Sequence, residues 1–280
     1  MKFSLNIHGR LIQYDQPVVM AIINATPDSF FPGSRFQGEA AVAARAEQLI
    51  AEGADMIDLG ACSTRPGVET VDADEELSRL LPAIRAIRSV SQDIPLSIDT
   101  FRASVAQRCI EAGADIINDI SGGTLDPDMF ATVAQLHVPY VLMHMRGTPA
   151  TMQQLTDYSA EGGVTAAVLQ FFAQRVQQLA DMGVADVILD PGYGFAKTLE
   201  QNWQLMRLQP TLQVLHRPLL VGISRKSMMT RALGITADQA LCPTVVANTL
   251  ALQSGADILR VHDPLPAKQA ITLFQHFTND

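Results

Sequence analysis

The sequence contains few cysteines and no excess of positive charge. Its three cysteines, Cys62, Cys109 and Cys242, are widely spaced and form no CxxC pair, so we expect neither a disulfide framework nor a structural zinc site. The net charge of −9 and the pI near 5.1 argue against general binding to nucleic acid or to an anionic membrane surface, because both require a basic face. The partners that we expect are therefore small molecules.

Long apolar runs are also missing from the chain. Although 48% of the 280 residues are hydrophobic, no stretch approaches the roughly 20 apolar residues that span a bilayer. The first residues lack the apolar region and the cleavage site of a secretory signal. We therefore expect a cytoplasmic protein without a membrane partner, whose hydrophobic residues lie mainly in buried strands.

Short apolar segments that end on a polar residue recur along the chain. The clearest is residues 96–100, which read Leu-Ser-Ile-Asp-Thr. The predicted strands of this kind are 18–24, 56–60, 96–99, 116–120, 140–144, 187–190, 219–224 and 258–262. Segments with helical spacing of apolar residues alternate with them. The predicted helices are 39–52, 72–91, 102–112, 127–136, 164–182, 199–208, 227–233, 238–253 and 264–277.

A repeat marks the passage from helix to strand. Residues 53–55, 113–115 and 255–257 all read Gly-Ala-Asp, and in each copy the glycine ends a helix before a short turn enters a strand. Eight strand-helix units fit the length, and we predict an α/β protein with a (β/α)8 TIM barrel, forming one domain over residues 1–280. An open doubly wound sheet is the alternative, weakened because no GxGxxG follows the first strand of the repeat.

We also predict an N-terminal β-hairpin. Residues 3–7 and 10–14 have strand character and flank a His8-Gly9 turn. The hairpin would close the bottom of the barrel.

In a (β/α)8 barrel the carboxyl ends of all strands open on one face, where the active site is built. The polar strand ends that we expect to meet there are Asn24, Asp58, Asp99, Asn118, His144, Asp190, Lys226, Arg260 and His262. For Asp58 a helix-capping role is the favoured alternative. Acceptors at Asp99, Asn118 and Asp190 suit the N–H edge of a nitrogen-rich ring. A second set, with positive charge or donors, suits a phosphate or pyrophosphate and comprises Arg65, Lys226, Arg260 and His262.

Four segments of the chain together resemble the dihydropteroate synthases, a family of pterin-binding TIM barrels. In chain order they are 24–30 (Asn-Ala-Thr-Pro-Asp-Ser-Phe), 63–67 (Ser-Thr-Arg-Pro-Gly), 190–195 (Asp-Pro-Gly-Tyr-Gly-Phe) and 224–227 (Ser-Arg-Lys-Ser). The resemblance implies condensation of 6-hydroxymethyl-7,8-dihydropterin pyrophosphate with 4-aminobenzoate to give 7,8-dihydropteroate and pyrophosphate. It further implies a role in folate biosynthesis, a magnesium ion, a homodimer formed through the outer helices, and inhibition by sulfonamides.

The resemblance also implies a role for individual residues. The positions that match pterin-binding residues are Asp99, Asn118, Met143, Asp190 and Lys226. Those that match the pyrophosphate site are Asn24, Arg260 and His262, with Asn24 also matching a magnesium ligand. The positions around 4-aminobenzoate are Thr64, Arg65, Pro66, Phe195, Lys226 and Ser227. Catalysis would rest on Lys226, Asp190 and Arg260, through stabilisation of charge as pyrophosphate leaves.

The chain departs from the family pattern in two loops. Pro32 stands where the family commonly has an aspartate, and Cys62 stands where it commonly has a glutamate. We do not interpret Cys62 as a nucleophile, because no histidine is beside it in sequence and the reaction has no covalent step. Two other functions remain open at this point: a pterin-dependent methyltransferase and a pterin-binding protein that has lost its activity.

Overall fold

The computed structural model describes residues 2–25, 35–61 and 71–278. Two short antiparallel strands, β1 (Phe3–Ile7) and β2 (Arg10–Tyr14), precede eight parallel strands. The parallel strands are β3 (Val18–Asn24), β4 (Met56–Gly60), β5 (Leu96–Asp99), β6 (Ile116–Asp119), β7 (Tyr140–Met143), β8 (Val187–Asp190), β9 (Leu220–Val221) and β10 (Ile258–Val261).

Helices alternate with these strands along the chain. They are α1 (Arg35–Ala51), α2 (Ala73–Val90), α3 (Ala103–Glu111), α4 (Met129–Leu136), α5 (Val164–Asp181), α6 (Leu199–Leu208), α7 (Ser227–Leu233), α8 (Leu241–Gln253) and α9 (Pro264–Thr278). Short 3₁₀ segments cover Met152–Gln154, Ser159–Glu161 and Gln209–Leu215.

The eight parallel strands close on themselves. Their order is β8-β7-β6-β5-β4-β3-β10-β9, and a parallel bridge between Leu189 and Leu219 joins the two ends. The Leu189 amide donates to the Pro218 carbonyl at 2.9 Å across this seam. The predicted (β/α)8 barrel is confirmed, and the alternative of an open doubly wound sheet is wrong because a sheet of that type keeps two free edges.

Most element boundaries lie within two residues of the sequence prediction, and the larger differences are in β9, at the starts of α1 and α8, and in the 3₁₀ segments. Regular pairing in β9 covers two residues, whereas we predicted a strand over 219–224. Helix α1 begins at residue 35, four residues before the predicted start. The three 3₁₀ segments, Met152–Gln154, Ser159–Glu161 and Gln209–Leu215, were not predicted.

The interior of the barrel is apolar at the bottom and polar at the top. Its lower part is a buried cluster formed by Val18, Met20, Met56, Ile116, Val141, Ile188, Leu220 and Ile258. Side chains alternate between the two faces of a strand, so the next inward position on each strand lies one layer higher. On β4, β6 and β10 this higher position is occupied by Asp58, Asn118 and Arg260.

The hairpin covers the apolar end of the barrel, as predicted. Phe3, Leu5 and Ile7 are buried and belong to the same cluster as the lower barrel side chains. The turn residues His8 and Gly9 both have positive φ, 50° and 79°, as a type I′ turn requires. Water is therefore kept from the lower interior by the first two strands.

The aspartates of the Gly-Ala-Asp repeat tie each strand to the one before it. Asp55, Asp115 and Asp257 accept the backbone N–H of Val19, Leu96 and Leu219, at 2.7, 2.8 and 3.0 Å. Their own amides donate to the carbonyls of those same three residues. The repeat therefore does more than end a helix: it fixes the register of neighbouring strands at the bottom of the barrel.

No helix within the described residues is long and apolar enough to cross a membrane. The cytoplasmic location and the single domain over residues 1–280 stay predictions.

Replacing one of these aspartates should destabilise the fold. Asp115 also pairs with the half-buried Arg88 at 2.5 Å, so Asp115→Ala leaves a guanidinium without its carboxylate partner and an unsatisfied amide. We expect the free energy of unfolding in urea to fall by about 2–4 kcal/mol. The control Asp93→Ala breaks an exposed pair with Arg10 and should cost at most about 1 kcal/mol. Equal losses in the two variants would contradict the role of the repeat.

Candidate active site

Four neighbouring strands present their last inward positions in one row. The backbone ladder pairs Asn24 with Gly60, Gly60 with Asp99, and Asp99 with Asn118. Gly60 leaves space in this row, because a Cβ there would lie 3.8 Å from both Asn24 Oδ1 and Asp99 Oδ2. The register therefore places an amide oxygen, a gap, a carboxylate and a second amide side by side at the mouth of the barrel.

Arg260 crosses the interior and joins this row to the layer below. Its Nε donates to Asp58 Oδ2 at 2.6 Å, and its Nη2 donates to Asp99 Oδ2 at 3.0 Å. Asp58 Oδ2 also accepts from Asn118 Nδ2 at 3.0 Å. One fully buried carboxylate thus orients both the guanidinium and the amide.

Burial makes ionisation of Asp99 costly. It raises the pKa of Asp99 to about 7, although the charge of Arg260 opposes the shift. The oxygens Asp58 Oδ1 and Asn118 Oδ1 are buried and have no hydrogen-bond partner among the described residues. Because unsatisfied buried acceptors are costly, this layer is suited to a ligand that brings N–H donors.

The row of Asn24, Asp99 and Asn118 forms one wall of the site. The segment after β8 forms the opposite wall together with Lys226. Asp190 is buried, its Oδ1 accepts the Gly192 amide at 2.8 Å, and burial raises its pKa against the effect of the Lys226 charge. Lys226 Nζ donates to the Tyr193 carbonyl at 2.7 Å and lies 4.8 Å from the centre of the Phe195 ring. Burial lowers the pKa of Lys226 to about 8, with Asp190 opposing that shift.

An apolar cluster lies between these walls. Met143 and Phe195 are buried in it, with Ile120, Met145, Met152 and Ala196 as the other buried members. Its composition suits the faces of flat rings, because methionine sulfur and aromatic carbon pack well against them.

His262 and Ser227 complete the set on the β9 and β10 side. His262 Nδ1 lies 2.9 Å from Ser224 Oγ, and Arg45 Nη2 donates to the His262 carbonyl at 3.0 Å. Ser227 is the first residue of α7 and is exposed at the mouth. Helix starts present backbone N–H groups, so this position can bind an anionic group.

The two chemical sets that we predicted as separate are joined in the structure. Arg260 belongs to the cationic set, yet its described contacts are with the carboxylates Asp58 and Asp99. The expected helix-capping role of Asp58 is wrong, because Asp58 bonds across the barrel interior. Its inward direction on β4 could be read only once the strand register was known.

The His144 side chain does not point into the mouth of the barrel, contrary to our expectation. Its ring packs edge-on against Phe171 of α5, with ring centres 5.1 Å apart, and its Nδ1 lies 3.0 Å from Lys197 Nζ. Met143 occupies the inward position of β7 instead, because adjacent residues of a strand face opposite sides. Lys197 was not among the residues predicted for the site.

Part of the predicted arylamine site lies outside the described residues. This applies to Thr64, Arg65 and Pro66, and also to the two departures from the family pattern, Pro32 and Cys62.

The residues at the mouth fit a magnesium ion held together with phosphate. Mg²⁺ prefers oxygen ligands and often takes only one or two from the protein when a substrate phosphate supplies others. Asn24 offers an exposed amide oxygen at the end of β3, beside the Asp99 carboxylate across Gly60. Among the described residues there is no cluster of three or more His, Cys, Asp or Glu side chains that would hold a metal alone.

Comparison with known proteins assigns this arrangement to a family. Residues 20–262 match the family described as pterin binding enzyme. The dihydropteroate synthase of Synechocystis sp. is 47% identical over 248 residues, which cover 88% of this chain and 84% of that protein.

Two solved structures share the fold along the whole chain. The Xanthomonas albilineans dihydropteroate synthase, solved with 4-aminobenzoic acid, superposes with a TM-score of 0.89 and is 37% identical, with 99% of this chain and 98% of that chain covered. The Yersinia pestis dihydropteroate synthase, solved with a sulfonamide drug, gives a TM-score of 0.90 at 34% identity, with 99% and 100% covered. Because residues 20–262 match the pterin binding enzyme family and a dihydropteroate synthase is 47% identical to the chain, the chain belongs to the pterin-binding enzymes, within the dihydropteroate synthases.

Proposed function

We propose that the protein condenses 6-hydroxymethyl-7,8-dihydropterin pyrophosphate with 4-aminobenzoate, releasing pyrophosphate and forming 7,8-dihydropteroate for folate biosynthesis. The observation that carries the proposal is the convergence of Asp99, Asn118 and Asp190 with Lys226 and Arg260 at one end of the barrel. A polar ring needs buried acceptors, and a departing anion needs fixed positive charge. The mouth of this barrel provides both.

The pterin ring would lie on the row formed by Asp99 and Asn118, with Asp190 opposite and Met143 against its face. The unpartnered Asn118 Oδ1 would accept an N–H of the ring. Loss of pyrophosphate leaves the methylene and the ring with positive charge, which the Asp99 and Asp190 carboxylates stabilise in a medium of low dielectric constant. These residues therefore bind the ring more tightly as the bond to the leaving oxygen breaks.

The leaving pyrophosphate would lie between Asn24, Arg260 and His262. When bound, Mg²⁺ neutralises charge on the phosphate oxygens, and Asn24 would supply its protein ligand. Arg260 is already oriented by Asp58, so little reorganisation is needed when negative charge develops nearby.

4-Aminobenzoate would enter above the pterin, against Phe195 and beside Lys226 and Ser227. Its carboxylate would face Ser227 at the start of α7, and its amine would face the methylene carbon. The amine is neutral and nucleophilic near pH 7, so orientation is what the protein must supply. Thr64, Arg65 and Pro66 are proposed for the same site on the resemblance alone.

We further propose a homodimer through the outer faces of α8 and α9. These faces expose large apolar side chains, with Val246 at 56%, Leu273 at 70% and Phe277 at 83% of their full exposure. Ile271, another apolar residue of α9, is instead buried against the barrel. An apolar surface of this kind is typical of a subunit interface.

The reaction is tested directly with the purified protein, the two substrates and Mg²⁺. We expect dihydropteroate and pyrophosphate in equal amounts, a loss of rate of at least ~10-fold when a chelator removes the metal, and recovery when Mg²⁺ is restored. A sulfonamide should compete with 4-aminobenzoate. Tight pterin binding without product would refute the synthase function and favour a protein that only binds the ring.

Lys226→Ala tests the contribution of the lysine. The variant removes a cation that lies beside both Asp190 and Phe195, so we expect kcat to fall by at least ~10-fold, the scale of one lost charged contact in a transition state. Lys268→Ala serves as a control, because Lys268 pairs with Asp55 at the bottom of the barrel. Normal turnover of Lys226→Ala would remove this residue from the site.

The double variant Leu273→Glu, Phe277→Glu tests the dimer. Two charges on each subunit would be desolvated in the interface, so we expect light scattering to give the monomer mass for this variant and the dimer mass for the unaltered protein. Leu11→Glu places a charge at an exposed apolar position of the hairpin and should remain dimeric. A monomeric unaltered protein would contradict the proposal.

A further inference from the structure

Lys197 is a buried cation with no part in the reaction as derived so far. It lies just before α6, is only 3% exposed, and its ammonium group is enclosed by backbone carbonyls and an imidazole. Nζ donates to the carbonyls of Gly192 at 2.9 Å and Phe195 at 3.0 Å, and it lies 3.0 Å from His144 Nδ1. The His144 carbonyl lies within 3.4 Å as well, so the three N–H groups meet four acceptors.

These contacts belong to a series of side-chain hydrogen bonds that hold the segment of residues 191–197, here called the β8 loop. The carbonyls of five successive residues, 192 to 196, each accept from a side chain: in order, the donors are Lys197, Lys226, Gln153, Lys197 and Tyr158. Lys197 donates to two of these five carbonyls, those of Gly192 and Phe195. Its loss would free the loop at two points at once.

The backbone around Lys197 is tightly packed and includes two residues with positive φ. Gly192 has φ of +68°, and a Cβ at this position would lie 2.1 Å from the His144 carbonyl. Ala196 has φ of +50°, which costs energy in a residue with a side chain. A conformation of this kind persists only where surrounding contacts impose it, and Lys197 provides two of them.

The pair with His144 keeps its hydrogen bond in either protonation state. Burial lowers the pKa of Lys197 to about 7, with the charge of Asp190 opposing the shift, and burial also lowers the pKa of His144 well below its usual value. A charged lysine donates to a neutral His144 Nδ1, and a neutral lysine can accept from Nδ1–H. In both cases two N–H groups remain for the carbonyls of Gly192 and Phe195.

We propose that Lys197, held by His144, is a positioning residue that sets the β8 loop and thereby the wall of the arylamine site. The inference rests on the proposed function, since it assigns Phe195 to the second substrate. By holding the loop, Lys197 would fix the position of the Phe195 ring, against which 4-aminobenzoate packs. It would also fix the position of the Tyr193 carbonyl, which accepts from Lys226. The backbone of Asp190 is part of the barrel ladder, where its carbonyl accepts from the His144 amide at 3.0 Å, and its Oδ1 accepts the Gly192 amide at 2.8 Å. Because the barrel holds its backbone, Asp190 should depend on Lys197 less than Phe195 does.

The test compares Lys197→Met with the matched control Lys268→Met. Both replace a paired lysine by an apolar chain of similar length, but Lys268 lies far from the loop, at Asp55. For Lys197→Met we expect the KM for 4-aminobenzoate to rise by at least ~10-fold, while the Kd of the pterin pyrophosphate, measured by calorimetry, changes by less than ~3-fold. Lys197→Gln keeps two N–H donors on a shorter chain and should fall between Lys197→Met and the unaltered protein. The control should leave both constants within ~2-fold.

A second measurement does not depend on activity. Amide hydrogen exchange at Gly194 and Phe195 should be at least ~10-fold faster in Lys197→Met than in the control, because the loop opens more often. Unchanged exchange together with an unchanged KM would overturn the proposal, and so would equal losses of arylamine and pterin binding, which indicate general damage. If the unaltered protein makes no dihydropteroate but Lys197→Met still exchanges faster, the proposed function fails while the role of Lys197 in the loop stands.

Discussion

The buried contact of Arg260 with Asp58 and Asp99 is the interaction on which the site depends. A guanidinium or a carboxylate alone in this interior would cost several kcal/mol of desolvation, so each of the three groups requires the others. Asp58 also fixes the amide of Asn118. A single carboxylate therefore orients both the Asn118 amide, which is proposed to face the pterin, and the Arg260 cation, which is proposed to face the pyrophosphate.

That arrangement is possible because the barrel separates its interior into layers. The hairpin and the lower apolar side chains exclude water from below, so the charged layer rests on a dry floor. In such surroundings the interaction between fixed charges and a developing charge is stronger than in water. The aspartates of the Gly-Ala-Asp repeat hold the strands in the register that puts Asn24, Gly60, Asp99 and Asn118 in one row.

The sequence was sufficient to predict the barrel, the hairpin and the strand ends, because those depend on local apolar runs and on glycines that end helices. It was not sufficient to predict side-chain direction. A strand buried on both faces shows no polar alternation, so nothing in residues 140–144 indicated that Met143 points inward and His144 outward. For the same reason the sequence favoured a helix-capping role for Asp58, although its partners come from β6 and β10.

Lys197 escaped prediction for a different reason. A lysine next to a glycine-rich turn is usually solvated, and its burial follows only from the way the β8 loop folds back on His144. Arg260 is held by carboxylates, whereas Lys197 is held mainly by neutral carbonyls and an imidazole. Carboxylates oppose a shift of a cation toward its neutral form, and neutral acceptors do so less, which agrees with the pKa of Lys197 being lowered to about 7. Paired charges thus fix the Arg260 layer of the site, whereas in the β8 loop above it Lys197 holds two backbone carbonyls, those of Gly192 and Phe195.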